Sequence, residues 1–286
     1  MANLKEIRNR ITSVSSTMQI TSAMKMVSAA KLKKAQDAIT AMRPYAEKLT
    51  ELLQNLSGTL DGDSAGKYAE QRPVNKILLV AITSNRGLSG AFNANIVKET
   101  KRLTQTIYPG KQVDFVTIGK KGNDIIRKTN TVITNNNEIY DNLNFENVSL
   151  IAEELMQLFA EGQYDKIDLV YNQFKNAATQ IVMTEQFLPI IPMQSDTVKS
   201  VDYIFEPSKE QIVEELIPRS LKTQLYKAIR DSFASEHGAR MTAMHKATDN
   251  ATELRNQLKL TYNKARQAAI TNEILEIVGG AEALNG

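Results

Sequence analysis

Both ends of this 286-residue chain carry an apolar repeat that no small globular domain can cover. Stepping by three and four from Leu4 gives Leu4, Ile7, Ile11, Val14, Met18, Thr21, Lys25, Ser28, Leu32, Ala35, Ile39, Met42, Ala46, Leu49, Leu53 and Leu56. Thirteen of these sixteen are apolar, and one heptad phase holds throughout, the pattern of a coiled coil. The first glycine is Gly58, and Pro44 is the only breaker before it. Such a helix is about 80 Å long. The C-terminal end repeats the pattern at Met244, Ala247, Ala251, Leu254, Leu258, Thr261, Ala265, Ala268, Asn272 and Leu275. Upstream, Leu221, Leu225, Ile229 and Phe233 extend the stripe, so a second helix is expected from about Lys209 to Leu284, with Pro218 and Gly238 as weak points. Its length is about 110 Å.

The middle of the chain reads differently. "NKILLVAIT", "QVDFVTIG", "KIDLVYNQF" and "QIVMTEQFLPI" are β-rich apolar runs. Helical patterns lie between them at Phe92–Ile107 and Phe145–Gly162. Strands alternating with helices predict a Rossmann-like open α/β sheet, mostly parallel. "SGTLDGDSAGKYAEQRP" is the entry linker. The expected organisation is an N-terminal coiled-coil helix over 1–58, an α/β domain over 59–208 and a C-terminal coiled-coil helix over 209–286.

A long amphipathic helix is not stable alone in water, and each terminal helix is the nearest partner for the other. One enters the central domain and the other leaves it, so they pair antiparallel. The second is longer, and its end projects as a single helix. There Ile270, Ile274, Leu275, Ile277 and Val278 cover more than one face, which calls for a surrounding sleeve. In the first helix, "MKMVSAAKLKKAQ" interrupts the seam at Thr21, Lys25 and Ser28 while Met24, Met26 and Val27 stay apolar beside it. Either the stripe drifts onto Met24 and Val27, or this stretch is a second contact surface. Methionine adapts to changing neighbours, and lysine is a mobile point charge. Arg266 and Gln267 point about 100° apart, so the seam cannot hold both; arginine forks onto carboxylates, and glutamine donates and accepts.

Net charge is +3, too small to point to nucleic acid. Its distribution is uneven: +5 over residues 1–58, −5 over the middle and +3 over 219–286. The basic ends suit acidic partners, phosphates, lipid headgroups or plain solvation. No apolar run approaches the roughly 20 residues that span a bilayer, and the charged start "MANLKEIRNRI" does not argue for secretion. With no cysteine there is no disulfide and no thiolate chemistry, and a reducing compartment is expected. The turn "ITSNRGLSGAF" follows a strand, as phosphate cradles do, but neither GxGxxG nor GxxxxGK[ST] is present. "GKKGND" reads as a turn and Glu153–Leu155 as a solvated helix face. His237 and His245, the two histidines, lack a carboxylate set at metal-ligand spacing. These residues favour an interaction protein over an enzyme.

"KEIRNRITSVSSTMQITSAMKMVSAAKLKKAQ" with "RPYAE", "ITSNRGLSGAFN", "ASEHGARMTAMHKATDNATEL" and "YNKARQAAITNEILEIVGGAEAL" together resemble the gamma subunits of rotary F-type ATP synthases over nearly the whole chain. The central turn of that family usually has Asp and Cys where this chain has Asn85 and Ser89, and redox regulation of the chloroplast kind is impossible without cysteine. The resemblance implies a central shaft inside a ring of alternating alpha and beta subunits. The α/β domain would sit below, with the epsilon subunit and the ring of c subunits. The shaft would be peripheral to the cytoplasmic face of the bacterial inner membrane, have no transmembrane segment, bind no cofactor and have no catalytic residue of its own. By the same resemblance, Met24, Lys25, Lys31, Lys33 and Lys34 face acidic loops of the beta subunits, and Arg266 and Gln267 engage a beta loop. Ile270 to Val278 form the tip in the bearing of the head, and Asp202, Tyr203 and Glu206 approach the c ring and epsilon.

Overall fold

The computed structural model describes residues 4–57, 66–190 and 209–285. The expected foot residues Asp202, Tyr203 and Glu206 lie outside them. Helix α1 spans Leu4–Ser57 and helix α5 spans Lys209–Asn285. Pro44 and Pro218 lie inside these helices without ending them. The chain divides into two compact units, Ala29–Arg240 and Met1–Ser28 with Met241–Gly286. Both long helices contribute to both units.

The first is a sheet unit. Strands β1 (Lys76–Ile82), β2 (Gln112–Ile118), β3 (Val132–Asn135), β4 (Lys166–Phe174) and β5 (Gln180–Leu188) stand in the order β3-β2-β1-β4-β5. The first four are parallel, and β5 is antiparallel to β4. Helices α2 (Phe92–Arg102), α3 (Lys120–Ile126) and α4 (Phe145–Ala160) make the crossovers. Ile77 to Ile82 are all buried, as a central parallel strand covered on both faces requires. Alternation divides them: Leu78, Val80 and Ile82 pack with α4 and with Ile217, Leu221, Leu225 and Ile229 of α5, while Ile77, Leu79 and Ala81 pack with Ile96 of α2 and Ile126 of α3. In this unit Leu32, Ala35, Ile39, Ala46 and Leu49 keep the α1 seam buried.

Three elements depart from the sequence reading. "GKKGND" opens helix α3 rather than forming a turn. Its glycines serve Thr83 at the end of β1: Thr83 Oγ1 accepts from the Gly122 amide at 3.0 Å. A Cβ on Gly122 would meet that side chain at 2.6 Å, and one on Gly119, where φ is +101°, would meet the Thr83 carbonyl oxygen at 2.2 Å. Strand β3 was not anticipated. The helix expected to Ile107 changes after Arg102 into a π turn, Leu103–Ile107, which aims the Tyr108 hydroxyl at Asp168 Oδ2, 2.5 Å away.

The second unit is a helix pair. Arg8 Nη2 donates to the Tyr262 hydroxyl at 2.6 Å, Thr252 Oγ1 reaches Met18 Sδ at 3.3 Å, and the Thr21 and Thr248 hydroxyls are 2.8 Å apart. Partner numbers fall on α5 as they rise on α1, so the helices are antiparallel. Thr21 and Ser28 remain buried in the seam, and Val27 is 57% exposed. The stripe therefore does not pass to Val27. Thr21 Oγ1 lies 2.8 Å from Thr248 Oγ1 and 3.1 Å from the Met18 carbonyl, and Ser28 Oγ donates to the Met24 carbonyl at 2.8 Å, so the seam tolerates both hydroxyls. The α5 seam is shifted from the expected series. Leu254 is 46% exposed, whereas Arg255 and Tyr262, each with a partner on α1, lie half-buried on the stripe. Apolar counting chose the leucine; the arginine's long stem fills the seam instead.

Candidate functional site

In an open α/β sheet a ligand crevice lies beyond the carboxyl ends of the strands where the strand order reverses, here between β1 and β4. Helix α5 occupies that position. Ser235 Oγ donates to the Asn172 carbonyl at 2.9 Å, and Asn172 Nδ2 donates to the Phe92 carbonyl at 3.2 Å. Gly238 lies so close to the 172–180 segment that a Cβ would stand 3.2 Å from the Ala177 backbone. Arg240 Nη2 donates to the carbonyls of Arg86 and Gly87 at 3.1 and 3.2 Å. The turn after β1 thus presents carbonyl oxygens to a guanidinium, the reverse of the amide cradle that holds phosphate.

The turn's own side chains lock its shape. Asn93 Oδ1 accepts from the Ser84 amide at 3.0 Å. Asn85 accepts from the Lys120 amide at 3.0 Å and donates to the Asn137 carbonyl at 2.8 Å. A carboxylate could not make the second bond, so asparagine suits this site. Ser89 is buried and accepts from Asn93 Nδ2 at 3.3 Å.

Beneath the turn, Arg240 Nη1 and Glu236 Oε1 form a buried ion pair at 2.7 Å. Burial raises the Glu236 carboxyl against the pull of Arg240, Lys31 and Arg86. At the next residue after Glu236, burial with the charges of Arg240 and Lys31 lowers the His237 imidazole to about 4, so it is neutral at neutral pH. Its ring meets Phe233 edge-on at 4.5 Å. Phe233 stacks on Tyr140, whose hydroxyl donates to the Thr83 carbonyl at 2.7 Å. Charge, ring and hydroxyl all act as braces between α5 and the sheet. His245 has a carboxylate that the sequence reading did not assign to it, Asp249 one turn on, at 3.3 Å and exposed. Among the described residues no group of three metal ligands exists, and no helix is long and apolar enough to cross a membrane.

The residues expected to meet partners fall in both units. In the helix-pair unit, Met24 and Lys25 are half-buried and Met26 is 64% exposed. Arg266 and Gln267 are exposed on α5. Lys31, Lys33 and Lys34 are exposed in the sheet unit. Since Arg8 stands opposite Tyr262, α5 runs on beyond the start of α1. Residues 271–281 there are exposed without interruption, and Ile270, Ile274, Leu275, Ile277 and Val278 all face solvent. Sequence reasoning missed the Arg240–Glu236 brace and the Thr21–Thr248 contact. The hydroxyls had counted only as breaks in an apolar repeat.

The model of a family described as ATP synthase matches residues 3–284. The chain is 77% identical to the ATP synthase gamma chain of Flavobacterium johnsoniae and 55% identical to that of Cytophaga hutchinsonii, each over the full length of both chains. Among solved structures, it resembles a chain of the central stalk and c-ring of Tetrahymena thermophila mitochondrial ATP synthase, with 27% identity and a TM-score of 0.61, over 80% of this chain and 99% of that one. The fold also matches a chain of Euglena gracilis mitochondrial ATP synthase with a TM-score of 0.71 at 21% identity, over 98% of this chain and 94% of the other.

Proposed function

The chain belongs to the ATP synthase gamma chain family, and from that premise we propose how its surfaces serve as the central rotor of the F-type enzyme. The rotor couples proton flow through the membrane sector to ATP synthesis or hydrolysis at the alpha/beta head. The shaft carries no catalytic group. Residues 1–58 and 209–286 form the shaft, and 59–208 form the domain toward the membrane. The protein is peripheral to the cytoplasmic face of the bacterial inner membrane, and its partners are the alpha and beta subunits, epsilon and the c ring.

The observation that carries this reading is the apolar end of α5, Ile270 to Val278, exposed past the start of α1. A surface of that kind is completed by a sleeve, and the head supplies one as a bearing. Met24, Lys25, Lys31, Lys33 and Lys34 meet acidic loops of the beta subunits, and Arg266 and Gln267 meet a beta loop in one rotary state. Soft methionine and mobile lysine suit a surface that changes neighbours as it turns. Asp202, Tyr203 and Glu206 serve the foot, near epsilon and the c ring.

The test is rotation. The chain has no cysteine, so one introduced into 59–208 takes a bead uniquely while alpha and beta are fixed to glass. Unidirectional, ATP-dependent turning is the expected result. A complex that hydrolyses ATP while the bead stays still would make the chain a static scaffold.

A further inference from the structure

The helix pair has a polar seam where its packing is weakest in shape. On α5 the seam residues Ala247, Thr248, Ala251 and Thr252 are small and half-buried or buried. Small side chains make shallow knobs, so apolar packing alone does little to fix how far one helix has slid along the other. Directional bonds must do it.

The hydroxyl protons can be assigned. Each threonine has one to give. Thr248 Oγ1 lies 2.8 Å from the Met244 carbonyl of its own helix and 2.8 Å from Thr21 Oγ1. Thr21 Oγ1 lies 3.1 Å from the Met18 carbonyl. The two shortest contacts use both protons: Thr21 donates to Thr248, and Thr248 donates to the Met244 carbonyl. Thr252 spends its proton on the Thr248 carbonyl at 2.8 Å. The longer approaches to Met18 Sδ, 3.3 Å from Thr252 and 3.5 Å from Arg255, are then weak contacts that follow the register rather than set it. A directed chain crosses the seam, Thr21 to Thr248 to Met244.

Sliding is opposed in either direction. A slip of one turn one way puts Thr21 against Met244, which offers no hydroxyl. A slip the other way puts Thr21 near Thr252 but carries Arg8 from Tyr262 to Arg266, cation against cation. One slip thus loses the hydroxyl contact and the other sets like charges together, and a buried polar contact that favours one alignment is a device by which coiled coils specify register.

We propose that Thr21 and Thr248 are positioning residues that set the register of α1 on α5, and so fix where Met24 and Lys25 stand relative to Arg266 and Gln267. The positioning half rests on the reading of those four residues as contacts with the beta subunits. The register half stands on the chain alone.

The full chain, free of cysteine, reports its own register by disulfide formation. Ile11→Cys with Leu258→Cys reads the observed alignment, and Ile11→Cys with Leu254→Cys reads a slip of one turn. With Thr21 and Thr248 in place the first pair closes in strong preference to the second. In Thr21→Val with Thr248→Val, which keeps shape and removes both hydroxyls, that preference falls about fivefold, the ratio one net hydrogen bond sustains. Thr21→Ser with Thr248→Ser restores it. An unchanged preference in the valine pair, with helix content intact, would overturn the proposal. In the assembled enzyme, the valine pair should pump fewer protons per ATP hydrolysed, and the serine pair should recover. Shifted cross-linking with unaltered pumping would overturn the positioning role, whereas the shaft reading itself stands or falls on the bead.

Discussion

The sheet unit and the helix-pair unit share the same two long helices, and they bury them differently. In the sheet unit α5 lays Leu221, Leu225 and Ile229 into a core of fully covered strands. In the helix-pair unit, Ile7, Met244 and Ala251 are the buried apolar residues among those described, joined by Thr21 and Ser28. One unit holds its shape by apolar area removed from water. The other has a narrow seam, a few directed bonds and a wide outer face. The sheet unit is held by its own core, whereas the helix pair leaves the apolar tip of α5 uncovered.

That contrast can be broken in order of size. Arg240→Met leaves Glu236 as a buried, unpaired carboxylate, and should cost about 3–5 kcal/mol in urea unfolding. Adding Glu236→Leu should recover most of it; a small loss from Arg240→Met alone would mean that α5 is not braced through this pair. Gly119→Ala should cost about 3 kcal/mol, from a strained φ and a clash with the Thr83 backbone. His237 makes the sheet unit sensitive to acid. Its folded pKa is about 4 against 6.5 unfolded, so the unfolded chain takes up the proton first and stability falls as pH drops from 6.5 to 4. His237→Phe should flatten that fall by about one proton, measured by denaturation at several pH values. At the other extreme, Ile274→Ser should change the stability of the free chain by less than about 0.5 kcal/mol, and yet weaken assembly with alpha and beta. A large loss in the free chain would mean that the tip is already packed.

The same contrast governs what the sequence made legible. The strands β1, β2, β4 and β5 were readable because apolar, β-rich runs of seven to nine residues have few other uses, even where, as in β5, most of the strand is only partly buried. Strand β3 has four residues, including Thr134 and Asn135, too short and too polar for that signal. Helix α3 was hidden by Gly122, which weakens a helix locally and is required there only because Thr83 comes close. In the helix pair the heptad phase on α1 was correct through Thr21 and Ser28. On α5 it failed at Leu254 because the stem of Arg255 packs better than its charge suggests. The bonds from Arg240 to the Gly87 and Arg86 carbonyls join residues more than 150 positions apart, and no local pattern announces them. The candidate contact surfaces were found through motifs of a known family, since exposed residues awaiting a partner leave no signature in the chain's own packing.

Amide hydrogen exchange, run on the free chain and on the chain assembled with alpha and beta, tests whether the tip of α5 is covered only in the assembly. Strand β1 should exchange slowly in both samples. Residues 271–281 should exchange rapidly in the free chain and become strongly protected in the assembly. An active assembly in which those residues stay as unprotected as in the free chain would contradict that covering.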